Sequence, residues 1–95
     1  MNGTIKAIET RYKGYRFRSR LEARCAVFFD AMGIAWRYED EGYRLSSGTS
    51  YLPDFWLPEL GIYVEVKGEM PIESELEKAR QLARDTKRSV LFMIG

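Results

Sequence analysis

Histidine is absent from this chain and cysteine occurs once, as Cys25. Zinc chemistry, which draws on imidazole and thiolate ligands, therefore has almost no donors here. No disulfide can close within the chain, and Cys25 reads as a small buried hydrophobe in a reducing compartment. Long apolar runs are missing too. Nothing approaches the ~18 consecutive apolar residues of a membrane span. The first residues lack the charged-then-apolar order of a secretion signal, so a cytoplasmic protein without a membrane partner is expected. Low-complexity tracts and internal repeats are also lacking. The 95 residues, 45% hydrophobic and 14% aromatic, are expected to form one domain over 1–95.

What is present is unevenly charged. A net charge of +1 hides seven Lys/Arg against two acids in residues 1–24, and three against seven in residues 25–67. The acidic centre holds the most informative pattern: Pro53-Asp54, ten intervening residues, then Glu65-Val66-Lys67. Two strands are predicted there, Tyr51 to Leu57 and Ile62 to Lys67, joined by Pro58-Glu59-Leu60-Gly61 as turn. Alternation along the second puts Tyr63, Glu65 and Lys67 on one face and Ile62, Val64 and Val66 on the other. A hairpin that brings Asp54 alongside Glu65 sets two carboxylates together, and they repel unless a cation lies between them or one is protonated. With oxygen donors only, that cation is expected to be Mg2+, with Mn2+ as substitute, no zinc and no organic cofactor. Such an ion acidifies bound water for phosphodiester hydrolysis, and Lys67 is placed to position that water or offset charge. The competing reading makes Glu65 and Lys67 a solvated salt pair.

Pro53-Asp54 and Glu65-Val66-Lys67, set in a predicted order of helix, three strands, helix and strand, resemble the PD-(D/E)XK nuclease superfamily over roughly residues 19–95. The resemblance implies an α/β (α+β), restriction-endonuclease-like αβββαβ core, with a four-stranded mixed sheet flanked by two helices. It implies a metal-dependent DNA endonuclease, with Asp54, Glu65 and Lys67 as the catalytic set. It adds Glu22 on the first helix as an outer or additional metal ligand, and the main-chain carbonyl of Val66 as the remaining one. Small members of this kind resemble bacteriophage reading frames, which implies a bacterial or phage-infected host cell. Gln81 is followed four residues on by Asp85 rather than tyrosine, which points away from the exonuclease branch. The alternative is a non-catalytic nucleic-acid-binding or protein-interaction domain on the same fold. Retention of Asp54, Glu65 and Lys67 together favours the enzyme.

Glu22 has a second reading, because Ser19-Arg20-Leu21-Glu22 is also a capping box at a helix start. The helix it opens has Leu21, Cys25, Phe28, Phe29 and Met32 as its expected apolar stripe, with Gly33 as the stop. A second helix is expected with Ile72, Leu76, Ala79 and Ala83 facing inward, acids early and bases late. Ala35 to Glu39 is the first core strand, and Val90 to Ile94 reads as a strand buried on both faces.

The arm over residues 1–18 carries Thr10-Arg11-Tyr12 and Tyr15-Arg16-Phe17 around Lys13-Gly14, the pattern of a short hairpin. Arg11, Lys13, Arg16, Arg18, Arg20 and Arg24 are candidate phosphate contacts, with the neighbouring aromatic rings available to stack on bases. The competing reading is a solvated ribbon whose aromatics pack on the domain. Only two helices are expected to cover four strands, so Phe55, Trp56 and Phe92 are expected at a leftover apolar surface where a homodimer or larger assembly forms.

Overall fold

The computed structural model describes residues 10–95, and residues 1–9 of the predicted arm lie outside the described residues. The described residues open with a ribbon of β1 (Thr10–Tyr12) and β2 (Tyr15–Phe17), antiparallel and in the register Arg11 opposite Arg16. Lys13 and Gly14 turn it with positive φ at both positions, 52° and 83°, the left-handed pair that a two-residue hairpin matched to strand twist demands. Helix α1 (Arg20–Ala31) follows, with Ser19 as N-cap accepting the Glu22 amide. Gly33, at φ 71°, takes the left-handed position that ends it.

The central sheet contains β3 (Arg37–Tyr38), β6 (Phe55–Leu57), β7 (Ile62–Lys67) and β8 (Val90–Ile94) in that spatial order. β3, β6 and β7 pair antiparallel, while β8 lies parallel to β7 after the crossover through α2 (Glu73–Thr86). The described residues form an α+β domain with two helices and a four-stranded mixed sheet, as expected. A small separate ribbon, β4 (Tyr43–Arg44) with β5 (Ser50–Tyr51), precedes β6. No helix among the described residues is long and apolar enough to cross a membrane.

The sheet has a core on each face. On one, Ala23, Cys25, Ala26 and Phe29 of α1 meet Phe55, Leu57 and Val64 under the ribbon's Phe17. On the other, Leu82 of α2 meets Tyr63 and Leu45. Several expectations are corrected by this packing. The buried stripe of α1 is Glu22, Ala23, Cys25, Ala26 and Phe29, while Phe28 and Met32 are 48% and 62% exposed. Small residues at 23 and 26 let the helix approach the sheet, and the bulkier pair is left on the flank. In α2 the buried residues are Ala79 and Leu82, and Ile72 is the N-cap, outside the helix and exposed. Strand Tyr51 to Leu57 is broken, because Leu52, Pro53 and Asp54 leave the ladder between β5 and β6. Pro53 has no N–H to donate, and Asp54 uses its own elsewhere, as described below.

β8 is the end strand of the sheet rather than a strand buried on both faces, with Leu91 and Ile94 about half exposed. Phe55 is fully buried, so it lines no leftover surface, and Trp56 and Phe92 are half-buried. The inward position of Leu82 sets an expectation for stability. Leu82→Ala should destabilise by about 2–5 kcal/mol, whereas Ile72→Ala should stay within roughly 0.5 kcal/mol. Urea unfolding of the two variants tests the assignment, and equal losses would contradict it.

Candidate active site

β6 begins only at Phe55, whose register partner is Val64, so the edge of β7 beyond Val64 has no strand beside it. In an extended strand the N–H and C=O of one residue point to the same edge, and successive residues alternate. Lys67 accepts from the Gly95 amide on the β8 side and Tyr63 donates to Ser89 there, so Val64 and Val66 turn toward the β6 side. Asp54 fills the gap with its side chain. Its Oδ2 accepts the Val66 amide at 2.8 Å, and its own amide donates to Glu65 Oε1, also at 2.8 Å. The Asp54 carbonyl accepts the Glu39 amide at 2.9 Å, which fastens the same residue to the segment after β3. One hydrogen bond thus joins the two sequence-predicted acids, from the Asp54 amide to the Glu65 carboxylate, and a second ties the Asp54 carboxylate to Val66. The Val66 carbonyl lies along the same edge of β7 as the amide that Asp54 holds.

The electrostatics of this pair are unfavourable in isolation. Burial, and then the nearby Glu65 charge, raise the Asp54 pKa from 3.8 to about 7, against the opposing pull of the Val66 amide. Burial also raises Glu65, although the Asp54 amide, Lys67 and a hydrogen bond with Tyr51 counteract it. Glu65 is only 5% exposed, which leaves little water to screen the repulsion. Lys67 Nζ lies 4.0 Å from Glu65 Oε2 and 2.8 Å from Glu75 Oε2. Burial disfavours the Lys67 charge, but the Glu75 hydrogen bond and the surrounding carboxylates outweigh it, and the pKa stands above the ordinary lysine value. Lys67 is therefore a fixed cation at neutral pH, suited to orienting water or meeting negative charge rather than to removing a proton.

Glu22 is buried at the start of α1, 6% exposed. Its Oε1 accepts the Arg18 amide at 2.9 Å and the Tyr38 hydroxyl at 2.9 Å. The capping box is half realised, because Ser19 accepts the Glu22 amide while the Glu22 side chain reaches back past the cap to Arg18. Its charge is felt at Asp54, where it adds to the upward shift. Among the described residues no group of three or more His, Cys, Asp and Glu side chains is placed to hold a metal ion. The available donors are instead two adjacent carboxylates and a main-chain carbonyl edge. This oxygen set fits a hard cation that keeps most of its waters and takes further oxygens from a phosphate.

Two members of the site were missed from sequence. Glu75 opens α2, where its Oε1 caps the Ile72 amide and its Oε2 holds Lys67. Helix-start acids are ordinary capping residues, so sequence offered no sign of the second role. Tyr51, at the end of the separate ribbon, hydrogen-bonds Glu65.

The basic residues divide. Lys13 pairs with Asp30 at 3.0 Å and Arg18 with Glu39 at 2.7 Å. Arg11, Arg16, Arg20 and Arg24 are exposed and take part in no ion pair among the described residues. Arg11 lies directly across the ribbon from Arg16, and Arg20 and Arg24 are one turn apart on α1, two like-charge juxtapositions that disfavour the isolated fold. Arg20 and Arg24 also stand in the early turns of the helix, where the dipole favours anions. The ribbon's aromatic side packs inward, with Phe17 fully buried against Tyr38 and Phe55.

The chain matches no protein-family model, no curated protein and no solved structure.

The raised Asp54 pKa fixes a sign for stability. The folded state holds the proton up to about pH 7, the unfolded state only to about 3.8, so the penalty of ionising Asp54 is absent below that window and complete above it. Asp54→Asn keeps an acceptor for the Val66 amide and removes the charge. Its melting temperature should exceed that of the unsubstituted protein by several degrees at about pH 8, at ~4–8 °C per kcal/mol for a domain of this size. The gain should vanish near about pH 4. Calorimetry in metal-free buffer at the two pH values tests this, and a gain independent of pH would contradict it.

Proposed function

We propose that this protein is a divalent-metal-dependent nuclease that hydrolyses phosphodiester bonds in DNA, with a restriction-endonuclease-like core of the PD-(D/E)XK type. The observation that carries the reading is the exchange of hydrogen bonds between Asp54 and the Glu65-Val66 segment, which sets the two acids side by side. A half-buried carboxylate and a buried one are forced together with raised pKa values, beside a lysine held in its charged form. A purely structural salt pair would set one acid against one base in solvent. Here the acids outnumber the base and are kept from water, which a bound cation would relieve.

In this reading Asp54 and Glu65 hold the ion through their carboxylates, with the Val66 carbonyl on the same edge as a third oxygen. Mg2+, or Mn2+ in its place, supplies polarisation of a phosphoryl oxygen and a more acidic bound water. Lys67 orients the attacking water and offsets charge on the phosphate as it develops. Glu75 keeps Lys67 protonated and fixes its amine at the mouth of the site. Glu22 adds negative field from the α1 side while tethering Tyr38. Arg11, Arg16, Arg20 and Arg24 grip the DNA backbone, which removes the like-charge repulsion of the free ribbon and helix.

Asp54→Asn, Glu65→Gln and Lys67→Ala should each lower metal-dependent cleavage of DNA by about 10² to 10⁴ while the variants stay folded. Added Mg2+ should raise the melting temperature of the unsubstituted protein and leave that of Asp54→Asn unmoved. Undiminished cleavage by purified Asp54→Asn would refute the assignment. The binding surface has its own measure. Replacing Arg11 and Arg16 together by glutamine should reduce the slope of log affinity against log salt by about 1 per residue removed. A slope identical to that of the unsubstituted protein would remove these arginines from the interface.

A further inference from the structure

A concavity lies next to the candidate active site and is used by none of the chemistry above. It has a volume of about 160 Å³ and is lined by Arg37, Asp40, Glu41, Tyr43, Trp56 and Arg88, with Pro53 and Tyr63 also in its wall. Two of these residues tie it to the candidate site. Pro53 immediately precedes Asp54, and Tyr63 stands two residues before Glu65 on the same face of β7.

Its chemistry is that of a planar, hydrogen-bonding ligand. The Arg88 guanidinium lies over the Trp56 ring, 4.8 Å from its centre, while Trp56 packs on Tyr63 with ring centres 4.7 Å apart. Arg88 is held in that stack by the Tyr63 hydroxyl, which it reaches at 3.2 Å and which itself donates to Tyr43 at 2.7 Å. A guanidinium over an indole face, with the Tyr63 ring tilted at 41° to that indole and a hydrogen-bonded chain behind them, forms a surface on which a flat π-system rests. At the rim stand two carboxylates. Asp40 is 3.5 Å from Arg37, and Glu41 is exposed with no ion pair among the described residues. Two acids beside two guanidiniums leave the rim without the net positive charge that a phosphate site has; the acids accept hydrogen bonds from amino groups, while the guanidiniums donate to ring nitrogens and carbonyl oxygens.

We propose that this cavity seats one unpaired nucleobase of the nucleic-acid substrate, one that carries an exocyclic amino group, adjacent to the phosphate engaged at Asp54 and Glu65. The proposal rests on the nuclease reading and adds to it a base subsite. The base stacks on the Arg88 and Trp56 layer, and Glu41 and Asp40 accept from its amino group, the contact a carboxylate makes with cytosine N4. Thymine, which presents a carbonyl where cytosine has that amino group, is turned away by the same acids. Selection then operates on single-stranded or locally opened DNA, where a base is free to leave the stack.

The test is anisotropy titration of labelled single-stranded oligonucleotides with EDTA present, so that nothing is cut. Oligo-dC and oligo-dT of equal length are compared on the unsubstituted protein, Glu41→Gln and Arg88→Ala. Glu41 and Arg88 are both exposed and lie outside the catalytic set, so the variants keep the fold. The expected result is about tenfold tighter binding of oligo-dC than oligo-dT, lost on Glu41→Gln, with Arg88→Ala weakening oligo-dC more than oligo-dT. Equal binding of the two by the unsubstituted protein, or a preference that survives both substitutions, overturns the base subsite and leaves the nuclease reading standing. No binding of either oligonucleotide, together with no metal-dependent cleavage, overturns both.

Discussion

The exchange of two hydrogen bonds between Asp54 and the Glu65-Val66 segment is the constraint around which the domain is arranged. A proline before Asp54 ends ladder pairing, and the aspartate side chain then does for β7 what a neighbouring strand would otherwise do. The carbonyl of Asp54 at the same time fastens the segment after β3. Four elements therefore meet at one residue: the loop from the small ribbon, the start of β6, the edge of β7 and the end of β3. A carboxylate serving as backbone substitute has a further property that a strand lacks. One of its oxygens is bound to the fold, which leaves the other to meet solvent or a ligand.

Placing acids this way is unfavourable to the folded state, and the surroundings show how the imbalance is contained. Backbone amides meet one oxygen on each acid, Tyr51 approaches Glu65, and Lys67 is brought within 4.0 Å. Lys67 does not neutralise the pair, because its closest partner is Glu75 on α2. The helix that covers the second face of the sheet through Leu82 is also the element that sets the position of the amine. Packing and site electrostatics are coupled through one helix start.

The parts of this arrangement that could be read in the sequence are those fixed by local chemistry. Lys13-Gly14 admits a two-residue turn, Ser19 and Gly33 bracket α1, and Pro53-Asp54 with Glu65-Val66-Lys67 marks the centre of the candidate site. What escaped was decided by contacts distant in sequence. Phe28 and Met32 are as apolar as Phe29, yet the approach angle of α1 selects the face carrying Ala23 and Ala26. Leu82 outranks Ile72 because Tyr63, on the face of the sheet that α2 covers, meets it. Val90 to Ile94 is apolar throughout, but uniform apolarity says nothing of whether a strand lies at the centre or the margin of its sheet, and here it is the margin. Tyr51 and Glu75 reach the site from elements that carry no signature of it.

The basic ribbon is attached to the body of the domain at Asp30, which accepts from the Tyr12 hydroxyl at 2.6 Å, the Trp36 indole at 2.9 Å and Lys13 at 3.0 Å. The tyrosine and tryptophan hydrogen bonds, and then lysine, lower the Asp30 pKa to about 2. Acidity within any range a cell experiences leaves this clasp closed. Salt and polyanions act on it differently, because Lys13 is more than half exposed and offers its ammonium equally to a phosphate. The clasp is thus insensitive to protons and responsive to counterions, and any polyanion lying along the ribbon would compete with Asp30 for the lysine that helps to hold the ribbon down.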